Sequence, residues 1–294
     1  MTYYILFILG LGIGSFLNVV TMRYKEDGLV FGRHIVFGRS HCPNCKKVLK
    51  WYELIPVISF ILQLGRCRSC KEKMSYQYPL IEIITALIFV SVPYYFFVYQ
   101  KEMFVGISDN FLIEYSVIWV LVFLSLLTIG VIDYRKYIVP DELVVLIALL
   151  GIGWTILLFE SNNFSAITGS FIGSYADLFN LRENLWINHL VGSILGLLAI
   201  GAIFFGTRGA AIGFGDVKLF GALGLLFGYP DIFLVFFLSF TTGAIFSLPL
   251  LVRKLKGMKD FVPFAPFIII ASFLVFFFGN DILRLYFDLF QFQL

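Results

Sequence analysis

Two aspartates, Asp133 in Ile132-Asp133-Tyr134 and Asp216 in Gly213-Phe214-Gly215-Asp216, each stand at the end of an apolar stretch long enough to enter a membrane. A bilayer solvates charge poorly, so carboxylates at membrane depth are rare and tend to be functional. Each has a plainer reading. Asp216 precedes an apolar run and would serve as an N-cap. Asp133 would pair with Arg135 or Lys136 as a charge at the membrane edge. Two carboxylates on one membrane face point further. Brought close, they cannot both ionise easily, and their proton affinities split. One then activates water as a base, while the other stays protonated and polarises a carbonyl. Gly213 and Gly215 give the backbone freedom and room for close approach beside Asp216. The three histidines, His34, His41 and His189, are scattered, and no Ser–His or Cys–His arrangement competes.

A second constellation is made of thiols. All four cysteines fall in Cys42-Pro-Asn-Cys45 and Cys67-Arg-Ser-Cys70, with 21 residues between the two C-x-x-C knuckles. That spacing reads as a tetrahedral zinc site, and four thiolates leave no open coordination position, so the metal would be structural. Lys46, Lys47, Arg66, Arg68 and Lys71 surround the ligands and balance a site of negative charge. A pair of redox dithiols is the competing reading. The knuckles lie in a segment of only about 55 residues, too small and polar to build a hydrophobic core, which favours a metal that pins the fold.

The elements that position these residues follow from composition. The chain has 294 residues, 60% of them hydrophobic and 14% charged, with a mean hydropathy of +0.91; a soluble domain carries about 25% charged residues. An all-α polytopic membrane protein follows. Apolar segments at 3–20, 79–98, 111–132, 142–159, 189–206, 217–228, 232–252 and 263–280 predict about eight transmembrane helices. The 217–228 segment is short and glycine-rich, as expected of a helix that begins inside the protein. No Lys or Arg precedes the first apolar run and no small-residue cleavage site follows it, so a cleaved signal peptide is not expected.

Charge fixes an expected orientation. The 21–78 loop holds eleven Lys and Arg, and alternate loops together hold 19 of the 22. The positive-inside rule places that set in the cytoplasm and both termini outside. Asp133 and Asp216 then both lie at cytoplasmic helix ends. The cysteine loop lies in a reducing compartment, which disfavours disulfides. The net charge of +3 reflects this topology and some attraction to anionic lipid; it does not suggest a nucleic-acid partner.

Taken in order, these residues resemble the bacterial type IV prepilin peptidases, aspartic proteases of the membrane. Gly12-Ile13-Gly14-Ser15-Phe16-Leu17-Asn18-Val19-Val20 is similar to that family's opening helix. Ser40-His41-Cys42-Pro43-Asn44-Cys45, Trp51-Tyr52-Glu53-Leu54-Ile55-Pro56 and Gly65-Arg66-Cys67-Arg68-Ser69-Cys70 resemble its cytoplasmic domain, which continues into Tyr78-Pro79-Leu80-Ile81-Glu82. Ile132-Asp133 with Val139-Pro140-Asp141 resembles the first catalytic block, and Gly213-Phe214-Gly215-Asp216-Val217-Lys218-Leu219 the second. The GxGD element is similar to that of presenilin and signal peptide peptidase. One departure is visible: Ala265, in Pro263-Phe264-Ala265-Pro266-Phe267, stands where a glycine is expected. The two prolines are expected to break the last helix and free backbone groups for an extended substrate.

The resemblance implies a two-step enzyme of the bacterial inner membrane with its active site toward the cytoplasm. Asp133 and Asp216 would cut the basic leader from type IV prepilins or pseudopilins, with Gly213, Gly215, Pro263 and Pro266 close to the substrate. The new N-terminal amine would then be methylated from S-adenosylmethionine. The resemblance divides the chain into a first transmembrane helix (1–20), a cytoplasmic zinc-binding domain carrying the methyl transfer (21–78) and a transmembrane aspartic peptidase domain (79–294). An α-amine has a pKa of about 7.7–8.0, so part of it is nucleophilic near neutral pH. Glu53 and Glu82 are the carboxylates expected to take its proton, and Gly65-Arg66 offers a tight turn and a cation for the donor's carboxylate. Plainer readings make Glu53 and Arg66 solvated loop charges and Glu82 an interfacial anchor; no GxGxxG fingerprint is present. The basic leader would be met by Glu53, Glu72 or Asp141, or placed by membrane geometry.

Readings from other classes are a peptidase without methyl transfer, a proton-coupled transporter titrating the two aspartates, and a thiol-redox membrane protein. Other features read as structure. Gly10-x-x-x-Gly14 and Gly192-x-x-x-Gly196 are expected helix contacts, and Ser15 and Asn18 inter-helix hydrogen bonders. Asp141, after Pro140, is the expected N-cap of its helix. The 161–188 stretch, with Asn184 and the Asn163-Phe164-Ser165 triplet, reads as a solvated outer loop.

Overall fold

The structure, a computed structural model, describes residues 1–25, 28–32, 35, 38–100, 107–161, 170–173, 175–176, 184–252 and 262–289. The Asn163-Phe164-Ser165 triplet and His34 lie outside the described residues. Helices are α1 (Thr2–Arg23), α2 (Ile58–Leu62), α3 (Gln77–Tyr94, followed by a π-helical stretch Tyr95–Gln100), α4 (Asp109–Lys136) and α5 (Asp141–Glu160). They continue with α6 (Leu185–Gly206), α7 (Phe214–Phe227), α8 (Asp231–Val252) and α9 (Ala265–Leu289). No strand occurs among the described residues, only isolated bridges at His41–Val48 and Arg66–Lys73. An apolar chain in lipid must satisfy its backbone internally, and helices do so within one segment. Seven of these helices are long and apolar enough to cross a membrane. The eighth apolar segment, α7, has 14 residues and spans about 21 Å at 1.5 Å per residue, short of the hydrocarbon thickness.

The chain divides into two compact units, Met1–Tyr94 and Tyr95–Leu294. In the first, α1 and α3 meet through the expected small residues. A Cβ on Gly10 would lie 2.5 Å from Ala86 Cα, and one on Gly14 2.7 Å from Glu82 Cα. Backbones can approach this closely only without side chains, and dispersion between them replaces a hydrophobic drive that lipid removes. Asn18 Nδ2 donates to the Tyr78 carbonyl at 3.0 Å, an inter-helix hydrogen bond of the expected kind.

In the second unit, α7 is enclosed. Asp216, Val217, Leu219–Gly224, Leu226 and Phe227 are buried. A Cβ on Gly192 of α6 would meet Gly228 Cα at 2.8 Å, one on Gly196 the Phe220 carbonyl carbon at 3.0 Å, and one on Gly151 of α5 the Leu226 nitrogen at 3.1 Å. Ser193 Oγ donates to the Gly221 carbonyl at 2.9 Å across the same contact. Helix α6 buries Leu185, His189, Gly192, Gly196 and Ile200 at helical spacing. It exposes Ile187, Leu190, Ile194 and Leu198 on the other face. At the far end of α7, Trp119, Phe123, Trp154, Phe171, Phe227 and Phe276 form an aromatic core, with Trp119 and Phe276 centroids 4.5 Å apart. Tilted and edge-on ring contacts of this kind add to simple area burial. Hydroxyls along the bundle, such as those of Ser125, Thr128, Ser239 and Ser272, donate to their own helix four residues back. They therefore carry no unmet polarity into the core.

Asn184, expected in a solvated loop, caps α6 by accepting from the Trp186 and Ile187 N–H groups at 3.1 and 3.3 Å. Asp141 is not the cap of α5. Pro140 holds that position, and Asp141 begins the helix with its carboxylate paired to Lys218 of α7.

Candidate active site

Asp133 lies one turn before the end of α4 and Asp216 in the first turn of α7; both are 6% exposed. Helix α4 ends four residues later because Tyr137 turns left-handed (φ 57), its N–H closing on the Asp133 carbonyl at 2.8 Å. The chain then passes through Pro140 into α5. The side chain of Asp133 accepts the backbone N–H of Ala265 at 3.2 Å. Asp216 sits close enough to Asp133 for one charge to act on the other, and its carboxylate faces back toward the Gly213 backbone N–H. Asp216 Oδ1 is buried without a hydrogen-bond partner.

Several local expectations change here. Gly213, not Asp216, is the N-cap of α7, with ordinary extended angles (φ −77, ψ 153). No unusual backbone conformation is needed at that glycine. The close approach occurs at Gly215, where a Cβ would meet Val139 Cβ at 2.8 Å. Gly215 thus lets the α4–α5 connection lie against the start of α7. Pro263 and Pro266 flank the start of α9 and do not break it. The free N–H at this helix start, that of Ala265, reaches Asp133. That donor escaped sequence reasoning because it is a backbone group 132 residues away.

The four thiols of the first unit also converge. All four Sγ atoms lie within 4.8 Å of one another, a cluster that could hold a metal ion. Cys42 and Cys70 Sγ are 3.8 Å apart. Tetrahedral zinc with Zn–S bonds of about 2.3 Å sets an S···S edge of about 3.8 Å. The two knuckles share one backbone plan. Lys46 and Lys71 are left-handed (φ 58 and 61), their N–H groups donate to the Cys42 and Cys67 carbonyls, and the Cys42 and Cys67 N–H groups bond Lys47 and Glu72. This small internal repeat, Cys-x-x-Cys-Lys, was not read as a repeat from sequence. The N–H groups of Cys70 and Ser69 hold the Cys67 thiol down, whereas desolvation and the neighbouring thiols push Cys45 up, so the four thiols share their protons unevenly.

The residues expected to serve methyl transfer have structural partners. Glu53 Oε2 accepts the Lys50 N–H at 2.9 Å and closes the turn Trp51–Glu53. Gly65 occupies a left-handed turn (φ 65) after α2, against the Phe60 ring. Arg66 is exposed. Glu82 is not an interfacial anchor: it is 7% exposed and accepts the Val57 N–H at 2.7 Å, with Ser15 of α1 also bonded to it. A donor's carboxylate needs a reachable cation and its sulfonium a reachable carboxylate. Arg66 and Glu53 fit those needs, whereas Glu82 is enclosed.

A fourth buried carboxylate, after Asp133, Asp216 and Glu82, carries no signal in the sequence. Asp231, at the start of α8, accepts Ser170 Oγ at 2.6 Å and the Phe171 N–H at 3.0 Å. It fastens the Phe171 segment under the aromatic core and is structural. His189, one of the scattered histidines, is buried with Nδ1 2.9 Å from the Leu225 carbonyl, where α6 meets α7.

Membrane-crossing helices that enclose a short helix and bring two buried aspartates into each other's range define a multi-pass membrane protein with paired buried carboxylates. Residues 8–96 match the family model described as Bacterial Peptidase A24 N-terminal domain, and residues 119–248 the one described as Type IV leader peptidase family. The chain is 30% identical over 285 residues to the prepilin leader peptidase/N-methyltransferase of Bacillus subtilis (strain 168), covering 96% of each. Proteins of the same description from Aeromonas salmonicida and Legionella pneumophila are 29% and 26% identical, over 96% and 97% of this chain and 92% and 94% of theirs. No solved structure matches the chain. The chain belongs to the type IV leader peptidase family.

Proposed function

We propose that this protein is an intramembrane aspartic endopeptidase that removes the leader of type IV prepilins or pseudopilins and then methylates the new N-terminus. The observation that carries the reading is the convergence of Asp133 and Asp216, buried, from the ends of two helices inside the span matched by the leader peptidase model. Water held by the pair attacks the scissile carbonyl carbon. One carboxylate takes the water proton while its protonated partner donates to the carbonyl oxygen. Collapse of the tetrahedral intermediate breaks the C–N bond, and a proton passes to the leaving amine. The orphaned Asp216 Oδ1 is free to meet water, and the Ala265 N–H orients Asp133. Gly213, Gly215, Pro263 and Pro266 frame the same place and are assigned to the substrate's path.

A proton-coupled transporter would hold its carboxylates near the bilayer middle; here both lie within about a turn of helix ends. The distribution of Lys and Arg supports an inner-membrane orientation with these ends toward the cytoplasm. Structural zinc on Cys42, Cys45, Cys67 and Cys70 would pin the first unit. S-adenosylmethionine, when bound, supplies an electrophilic methyl group. Arg66 and Glu53 are the residues assigned to hold it, with Gly65 shaping the turn between them and Glu82 supporting the fold from beneath.

The test is cleavage of a prepilin by membranes carrying Asp133→Asn or Asp216→Asn. Asn keeps the shape but cannot act as base, so cleavage should fall at least about a thousandfold with insertion unchanged. Mass spectrometry of the mature product reads both steps. Near wild-type cleavage by either variant would sink the pair assignment, and full cleavage with no added methyl under excess donor would remove the second activity.

A further inference from the structure

The zinc-bearing unit presents an apolar surface that the two reactions do not use. Ile58, Ile61 and Leu62 share one face of the short helix α2 and are 53%, 62% and 70% exposed, and Leu64 just beyond is 85% exposed. Leu64 is left-handed (φ 52), an uncommon conformation for leucine. Phe60 alone turns inward, against the Tyr76 ring at 5.6 Å and against Gly65. Four exposed aliphatic side chains within seven residues make a contiguous patch of the kind that marks a contact surface.

The position of this segment along the membrane-crossing helices is fixed by one bond. The Val57 N–H donates to Glu82, the sixth residue of α3. Five residues of rise place that anchor about 7.5 Å along the helix from its first residue. Helix α3 is itself apolar enough to span a bilayer. Helix α2 therefore starts level with the second turn of a membrane-crossing helix and not above it. With the first residue of α3 taken as the membrane surface, that corresponds to the depth of about 5–10 Å at which amphipathic segments lie in the headgroup–acyl boundary.

The charge beside the patch is mostly positive. Arg66, Arg68, Lys71 and Lys73 follow it closely and are exposed, with the single carboxylate of Glu72 among them. Lys50 and Arg68 lie over the Tyr52 ring at 5.8 and 5.2 Å. Residues 21–78 hold eleven Lys and Arg against four Asp and Glu. An apolar face rimmed by cations matches an anionic lipid surface.

We propose that Ile58–Leu64 is an interfacial anchor, seated in the headgroup–acyl boundary of the leaflet beside the zinc knuckles, with Arg68, Lys71 and Lys73 holding anionic phospholipid headgroups next to it. The buried Glu82–Val57 bond sets its depth. The anchor is independent of either chemical step.

The experiment uses the full-length protein in nanodiscs of phosphatidylcholine with or without phosphatidylglycerol. A Leu62→Trp variant is compared with its parent, and the difference in emission is followed with lipids brominated high on the acyl chain. The added Trp should lose roughly half its emission, as expected at such a depth, and the loss should be larger with phosphatidylglycerol and weaken in high salt. Leu64→Glu in that background should lower the quenching, while one bound zinc per chain reports that the knuckles remain folded. No quenching in either lipid would overturn the anchor. Equal quenching with and without phosphatidylglycerol would overturn the anionic partner. An added Trp that ignores brominated lipid but responds to a prepilin peptide, or to protein concentration, would assign the face to a protein and overturn the proposal.

Discussion

At the scale of single residues, the reach of Ala265 to Asp133 has the largest consequence. A glycine is expected at that place from the family resemblance, yet Ala265 is not among the left-handed residues of the described chain. It begins α9 with ordinary helical geometry, so a Cβ there is harmless and the working group is the N–H. Replacing Ala265 with Gly should leave cleavage within about twofold. Ala265→Pro keeps φ helical but deletes the donor. A lost hydrogen bond to a buried carboxylate costs about 1–3 kcal/mol, so cleavage should fall about 5- to 150-fold with insertion intact. Quantitative blots of precursor and mature pilin check both, and equal activity of the two variants would dismiss the donor. The aspartates were legible because carboxylates are rare in apolar sequence. Their backbone partner was not, because every residue has an N–H and only the fold selects which one matters.

At the scale of elements, the start of α7 is held to the start of α5 by the Asp141–Lys218 ion pair and by the contact of Gly215 with Val139. Asp141 follows Asp133 by eight residues and Lys218 follows Asp216 by two, so the pair fixes the spacing of the helix ends that bear the aspartates. The Asp141 and Lys218 side chains are 71% and 34% exposed, so the pair's contribution is about 0–1 kcal/mol. Asp141→Lys should therefore lower cleavage by up to about fivefold, and the double variant Asp141→Lys/Lys218→Asp should regain most of it. No recovery in the doubly swapped protein would mean the two charges act separately. The helices themselves were legible from hydropathy, to within a few residues at most ends. Their caps were less so: Pro140 and Gly213 took positions that the acidic residues beside them seemed suited to fill. A side-chain cap competes with longer-range partners, and here Lys218 and the paired aspartates took those carboxylates.

At the scale of the whole molecule, two compact units carry two kinds of stabilisation. The first relies on close backbone packing of α1 with α3 and on the thiol cluster; the second relies on an aromatic core and an enclosed helix. The cluster was legible from eight residues of sequence because C-x-x-C spacing dictates local geometry. The aromatic core was not, since 35 phenylalanines offer no hint of which few rings meet. Cys42→Ser or Cys67→Ser should release the metal, measured by elemental analysis, and make residues 40–75 sensitive to protease while 109–160 stay resistant. Cleavage near residue 70 at the same rate in wild-type and variant proteins would count against a metal-pinned fold. Asp231 illustrates the other limit of reading a sequence. A carboxylate at a helix start looks like an ordinary favourable charge, and only its partners Ser170 and Phe171 reveal it as a clasp.

The enclosure of α7 bears on how the protein meets membranes of different thickness. Helices that touch lipid must tilt or deform the bilayer when their apolar length and its thickness disagree. Helix α7 is too short to match any such thickness, but ten of its 14 residues are buried, so its length is set against protein and not against acyl chains. Mismatch strain should therefore fall on the outer helices and reach Asp216 only weakly. Cleavage rates measured in bilayers of graded acyl length should stay within about threefold while the thermal stability of the same samples varies. A rate that peaks sharply at one chain length would show that lipid thickness is transmitted to the carboxylate pair.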